Sequence, residues 1–237
     1  MYKRAIILAG GKGVRLRPYT LTLPKPMMPL DDQPILEIII RQLVSQGFTH
    51  LTLAVNHQAE VIQQYFQDGE RFEVRIDYSL EQKSLGTLGP ILQIEDLPEQ
   101  FLVMNADVLT DLPFRQFWES HHESDHGLTV GVCKREYQSD FGVVHLNDHG
   151  EMEAFIEKPV RKEWVNMGIY MVSRSVLRGL PAQQRIGFDH LFSHLLESEC
   201  PPSVFRHKGY WLDIGSPDDY KEACQSFLRY RTSFLPE

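Results

Sequence analysis

The sequence predicts an α/β protein: a doubly wound, mostly parallel sheet, with a smaller mixed-sheet lobe on its C-terminal half. Three observations predict it. Short apolar runs alternate with segments of helical period up to about residue 135. The first run opens into a loop rich in glycine, proline and cations. After about Glu136 the alternation gives way to a hairpin pattern around the turn Asn147-Asp148-His149-Gly150.

Arg4–Leu8 reads as a buried strand. Ile35–Gln46 carries Ile35, Ile38, Ile39 and Leu43 at helical spacing and stops at Gly47. Leu51–Val55 is a second strand, Ala59–Phe66 a helix, and Val74–Tyr78 and Phe101–Asn105 further strands. Phe114–Glu123 reads as a helix and Leu128–Cys133 as a strand. In the second half Gly142–Leu146 and Met152–Glu157 form the hairpin, and Val165–Val172 is an apolar strand. Phe188–Glu197 and Ser216–Tyr230 read as helices, the latter capped by Ser216 ahead of Pro217, with a short strand pair near Val204–Asp213. The expectation is one domain over 1–237, with a nucleotide-binding core over about 1–135 and a mixed-sheet lobe over about 136–237.

Composition narrows the function. The chain has 42% hydrophobic and 24% charged residues, as ordinary globular proteins do. No apolar run reaches the ~20 residues of a membrane span, and the apolar stretch in MYKRAIILAGG is too short for a secretory signal. Cys133, Cys200 and Cys224 are scattered and form no disulfide or zinc pattern, which predicts the cytoplasm. A formal charge of −8 argues against broad nucleic-acid binding. A homodimer is compatible with the sequence but leaves no signature in it. His57, His121 and His122 stand near no ligand-like cluster and are expected on the surface or in loops.

The charge is unevenly placed. The first 30 residues hold six Lys/Arg and no Asp/Glu, so residues 31–237 carry −14. Gly10, Gly11 and Gly13 sit among Lys12, Arg15, Arg17 and Lys25, directly after the first strand. Bare backbone N–H groups and fixed cations at that place suit a phosphate-rich ligand. The loop is not a dinucleotide fingerprint, because Leu16 holds the third glycine position, and no Walker A pattern occurs.

From Leu8 to Pro29 the chain reads L-A-G-G-x-G-x-R-L-x-P-x-T-x-x-x-P-K-P-M-x-P, and this strongly resembles the signature of the sugar-1-phosphate nucleotidyltransferases. The resemblance continues across nearly the whole chain. It implies a Rossmann-like doubly wound mixed sheet with a small sugar-binding lobe. The implied reaction is NTP plus sugar 1-phosphate giving NDP-sugar and pyrophosphate, with Mg²⁺ as cofactor. By the same resemblance Leu8, Gly10, Gly11 and Gly13 would wrap the nucleotide. Arg15 would hold the β/γ-phosphates, and Lys25 would sit near the reacting centre.

Asp107 in FLVMNADVL follows an apolar strand, where α/β sheets place their ligands, although Asn-x-Asp also commonly begins a turn. The resemblance makes Asp107 a metal ligand, with Ala106 where the family carries Gly, and makes Asp213 in GYWLDIGSPDDY the second. Spacing alone does not pair the two. Glu157-Lys158-Pro159 resembles a segment whose Lys reaches the sugar phosphate. Gly142 and Asn166, in Phe141-Gly142-Val143 and Asn166-Met167-Gly168-Ile169-Tyr170, match sugar-pocket positions. Read plainly, these are a charged strand end and strand segments with glycine kinks.

SLEQKSLGTLGP resembles the family's E-x-x-x-L-G-T-x-G, which puts Glu81, Gly86 and Thr87 near the base. A carboxylate accepts from guanine's adjacent N1–H and N2–H, whereas uracil suits an amide such as Gln82, so GTP is favoured. The chain ends soon after its last helix, and is expected to be a short form without the C-terminal β-helix of many relatives. Such forms activate heptose 1-phosphate with GTP or N-acetylmuramate 1-phosphate with UTP, so a uridylyl- or cytidylyltransferase is the alternative. A catalytically silent nucleotide-sugar sensor is the competing class; retention of Lys25, Asp107, Lys158 and Asp213 argues against it.

Overall fold

Alternation along β1 (Arg4–Leu8) divides the interior in two: Ala5 and Ile7 enter one apolar cluster and Ile6 the other. A computed structural model describes residues 2–81, 83–181 and 184–235; Gln82 lies outside the described residues. Two short strands, β2 (Pro29–Leu30) and β3 (Gln33–Pro34), lead into α1 (Ile35–Ser45). Then come β4 (His50–Val55), α2 (Ala59–Phe66), β5 (Arg75–Leu80) and the single turn α3 (Gly89–Leu92). Next are β6 (Gln100–Asn105), β7 (Val108–Thr110), α4 (Phe114–His122) and β8 (Leu128–Gln138). The hairpin is β9 (Val143–Leu146) with β10 (Met152–Ile156), followed by the long β11 (Val160–Ser173). The chain continues through α5 (Phe188–Glu197), β12 (Ser203–His207), β13 (Trp211–Asp213), α6 (Pro217–Arg229) and α7 (Arg231–Phe234).

The main sheet has seven strands in the order β12-β8-β11-β6-β1-β4-β5. β4, β5 and β6 join β1 in a parallel half, and β12 lies parallel to β8. β11 runs antiparallel to both neighbours, β6 and β8, while the other six strands run parallel, so the sheet is mixed but mostly parallel, as expected. Its helices cover both faces. α1, α2, α4 and α6 bury Ile39, Phe66, Phe117 and Phe227 in one cluster, and α3 and α5 bury Ile91 and Leu191 in the other. Residue 135 falls inside β8, whose first six residues are buried and whose outer half is largely exposed.

Two expectations need correction. The short strands near Val204–Asp213 do not pair with each other: β12 adds an edge to the main sheet, and β13 pairs antiparallel with β7. His121 is fully buried, not on the surface, because Phe114, Phe117, Trp118 and His121 share the inward face of α4. Ser216 does cap α6, accepting from Asp219 N–H at 3.2 Å.

Candidate active site

Gly13 fixes the shape of the loop after β1. Its φ is +58°, and a Cβ there would stand 2.8 Å from Thr20 Cγ2 and 3.1 Å from Lys25 Cβ, so only glycine fits. Thr20 Oγ1 donates to the Gly13 carbonyl at 2.8 Å and draws the loop shut. Leu16, Met27 and Met28 anchor it in the core, while Lys12, Arg15 and Arg17 stay exposed. Lys25 begins a single 3₁₀ turn between Pro24 and Pro26 and is buried.

The loop forms one wall of a cavity of about 310 Å³ lined by Leu8, Gly10, Gly11, Ala54, Glu81, Ser84, Gly86, Thr87, Pro90, Asn105 and Asp107. Glu81 stands directly behind Gly10, where a Cβ would lie 3.2 Å from Glu81 Oε2. The Glu81 carboxylate also organises its own loop. Oε1 accepts from Leu85 N–H at 2.9 Å, and Oε2 accepts from Asn56 Nδ2 at 3.3 Å. Gly86 has φ +84° and packs against the Ile186 carbonyl, 2.4 Å from where a Cβ would be. Thr87 Oγ1 accepts from Phe188 N–H at 3.2 Å, tying this loop to the start of α5.

β7 and β13 bring the two key carboxylates together. Asp213 pairs with Val108, and Ile214 N–H donates to the Asp107 carbonyl at 2.9 Å. Lys25 Nζ donates to Asp107 Oδ2 in a largely buried ion pair. Asp107 Oδ1 is buried and has no hydrogen-bond partner among the described residues. Burial, and then the neighbouring Asp107 charge, raise the Asp213 carboxyl above its ordinary range; Lys25 and Arg15 oppose that rise. Arg15 reaches this corner: a Cβ on Gly215 would lie 2.9 Å from Arg15 Nη2 and 3.1 Å from Asp213 Oδ2.

A second cavity, about 220 Å³, is lined by Asn105, Asn166, Met167, Gly168, Tyr170, Trp211 and Asp213. Asn166 shapes it: Oδ1 accepts from Gly168 N–H at 2.9 Å, and Nδ2 donates to the Tyr170 hydroxyl at 2.8 Å. Tyr170 stacks on Phe188 at 3.8 Å, and Trp211 Nε1 donates to the Met167 carbonyl at 2.9 Å. Asn105 lines both cavities, and the Asp107–Asp213 pair lies where they meet.

The structure thus brings together Leu8, Gly10, Gly11, Glu81, Gly86, Thr87 and Asp107 around one cavity, and Asn166 and Asp213 around the other, with Lys25 and Arg15 at the carboxylates. Gly142, Glu157 and Lys158 line neither. Glu157 and Lys158 are exposed at the turn after β10, and Gly142 neighbours Glu157 Oε2 and the Phe155 ring. The sequence assigns no role to Asn105 or Trp211; Asn105 ends β6 two residues before Asp107, and Trp211 stands on β13 two residues before Asp213.

Two adjacent carboxylates with an unsatisfied buried oxygen suit a hard divalent cation that completes its shell with water and phosphate. Among the described residues no group of three or more His, Cys, Asp or Glu converges, so a closed all-protein metal cage is not formed. No helix there is long and apolar enough to cross a membrane.

A mixed α/β sheet here carries a glycine–cation loop, two neighbouring carboxylates and two abutting cavities. The chain belongs to the Nucleotidyl transferase family, which matches residues 4–229. It is 35% identical to a UTP–glucose-1-phosphate uridylyltransferase of Synechocystis sp., aligning over 95% of this chain and 63% of the relative. It is also 35% identical to a mannose-1-phosphate guanyltransferase of Aspergillus fumigatus, over 92% and 62%. The chain therefore spans a little under two thirds of these two relatives. HddC from Yersinia pseudotuberculosis, whose structure has also been determined complexed with GMP-PN, is similar with a TM-score of 0.74 and 27% identity. That match covers 96% of this chain and 100% of HddC.

Proposed function

We propose that the chain transfers the nucleotidyl group of an NTP to a sugar 1-phosphate, with GTP and a manno-configured sugar or heptose 1-phosphate as the preferred pair. The observation that carries this reading is the Asp107–Asp213 pair at the junction of the two cavities, with Lys25 on one carboxylate and Arg15 beside the other. The larger cavity takes the nucleotide and the smaller one the sugar, which puts both substrates' phosphates at the carboxylates.

A sugar-phosphate oxygen attacks the α-phosphorus, a new P–O bond forms, and the bond to the β-phosphate oxygen breaks with its electrons, releasing pyrophosphate. A phosphomonoester has its second pKa near about 6 and arrives already charged, so no side chain has to remove a proton. Lys25 and Arg15 screen the meeting of two polyanions and stabilise charge on the α-phosphate and the leaving group. The Gly10–Gly13 loop offers backbone N–H groups to the nucleotide phosphates. Asp107 and Asp213 would hold Mg²⁺, which when bound supplies Lewis-acid charge at the transferring phosphate. Asn166 and Tyr170 position the sugar. The assignment of Lys158 to the sugar phosphate rests on sequence resemblance.

Glu81 supports guanine: its carboxylate lines the nucleotide cavity, and each oxygen keeps a lone pair beyond its bond to Leu85 or Asn56. Uridylyl transfer is the second reading, because the uridylyltransferase relative is as similar as the guanyltransferase one. The test is pyrophosphate release with Mg²⁺, crossing NTPs against a panel of sugar 1-phosphates. Release with GTP and a manno-configured sugar is expected, with Glu81→Gln eroding the preference for GTP. Release with UTP or CTP alone overturns the base assignment. Nucleotide binding with no release from any pair favours the sensor.

A further inference from the structure

We propose that the β9–β10 hairpin of one copy docks on the cationic, aromatic pocket beside β8, β11 and β12 of a second copy, so that the chain self-associates through its arm. The hairpin stands apart as its own two-stranded sheet. In its register Phe155 faces Val144 and Met152 faces Leu146, and all four share one side of the ribbon. Each is exposed, from 45% for Val144 to 64% for Met152. An isolated two-stranded ribbon is marginal in water, and a contiguous apolar face on a surface marks a contact site. The ribbon is also acidic: residues 139–158 hold Asp140, Asp148, Glu151, Glu153 and Glu157 against Lys158 alone.

The complement lies on the same polypeptide. A cavity of about 540 Å³ is lined in part by Lys134, Arg135, Lys208, Trp164 and Trp211, with Glu222 its only carboxylate among the described residues. The Arg135 guanidinium lies 5.1 Å from the Trp211 ring centroid, and Arg206 lies 5.5 Å from that of Trp164. Among the described residues none of Lys134, Arg135, Arg206 or Lys208 joins an ion pair. In a protein of charge −8 this is a local excess of cations, unpaired among the described residues, around the exposed Trp164 and the half-buried Trp211. It fits an acidic ribbon that brings phenyl and thioether side chains. Because one chain carries both halves, a two-fold pairing makes the contact twice, which moves it toward the ~800 Å² per partner of stable interfaces.

Sedimentation velocity across a concentration series tests this. The unaltered chain is expected to dimerise, more weakly as salt is raised. Phe155→Asp is expected to weaken the dimer about tenfold or more. Glu151→Lys with Glu153→Lys, and separately Lys134→Glu with Lys208→Glu, should each weaken it. Combining all four changes in one chain should restore it, with circular-dichroism melts showing that every variant is folded. A chain that stays monomeric at all concentrations, a dimer indifferent to both charge reversals, or a quadruple variant that does not re-associate overturns the proposal.

Discussion

Lys25 is held by its ammonium on one oxygen of Asp107, while the other oxygen of that carboxylate is buried without a partner among the described residues. The pair joins the loop after β1 to the strand run after β6, with Lys25 at 10% and Asp107 at 22% side-chain exposure. Half of the Asp107 carboxylate is thus neutralised from within the protein and half is left for a ligand.

Asp107→Asn separates chemistry from architecture. The amide keeps the shape but loses the charge a divalent cation needs and weakens the contact with Lys25. Turnover, followed as pyrophosphate release, is expected to fall at least about a hundredfold. The fold should survive at a cost of roughly 1–3 kcal/mol in urea unfolding. Retained Mg²⁺-dependent turnover would remove Asp107 from the metal site.

Lys25→Met tests whether the ammonium and a cation compete for Asp107. Methionine keeps the buried stem and removes the charge. With no nucleotide present, Mn²⁺ should then bind more tightly, by about tenfold, because one unit charge beside the carboxylates has gone. Turnover should fall, since the same charge acts on the transferring phosphate. Unchanged or weaker Mn²⁺ binding, read by electron paramagnetic resonance, would mean that Lys25 and the cation do not share Asp107.

His121 predicts an acid-sensitive fold. Its Nδ1 lies 2.8 Å from Thr129 Oγ1 and its Nε2 lies 3.1 Å from Ser173 Oγ. Burial first, then the nearby His122 and His126, lower its pKa from 6.5 to about 4. The folded state therefore binds fewer protons here than the unfolded state between pH 6.5 and about 4. Stability from this site is full above pH 6.5 and is lost as pH falls through that window, by up to roughly 3 kcal/mol. His121→Gln should flatten urea midpoints over that range, and an unchanged slope would assign the acid sensitivity elsewhere.

How much of this was legible depended on how local the signal was. α2 matches its expected bounds because apolar period and flanking residues lie within a few positions. The glycine loop was legible for the same reason, with Gly13, Thr20 and Lys25 in one short segment, although the Thr20 bond to the Gly13 carbonyl was not. The antiparallel placement of β11 and the β7–β13 pairing are long-range choices that no window of sequence encodes. Without that pairing Asp107 and Asp213 cannot be joined by spacing. His121 is a different case: it stands seven residues after Phe114 on the same helical face, so the period already pointed inward.

Gly168 offers a test of the wall between the two cavities. Its φ is +71°, and the register between β11 and β8 shifts across Asn166 and Tyr170 to accommodate it. A Cβ there would stand 2.5 Å from Asn105 Nδ2 and 3.1 Å from Asn105 Cγ, so Gly168→Ala must displace the side chain that lines both cavities. Gly179 is the control: its φ is +81°, but among the described residues a Cβ would meet nothing within 4 Å. Both substitutions place alanine in left-handed backbone and should cost about 1–2 kcal/mol of stability. Only Gly168→Ala should also raise KM for the sugar 1-phosphate, by about tenfold, because it alone moves Asn105 and disturbs the Asn166–Tyr170 bond. Equal kinetics in the two variants would mean that Asn105 and the bulge shape the cavity wall without touching the substrate.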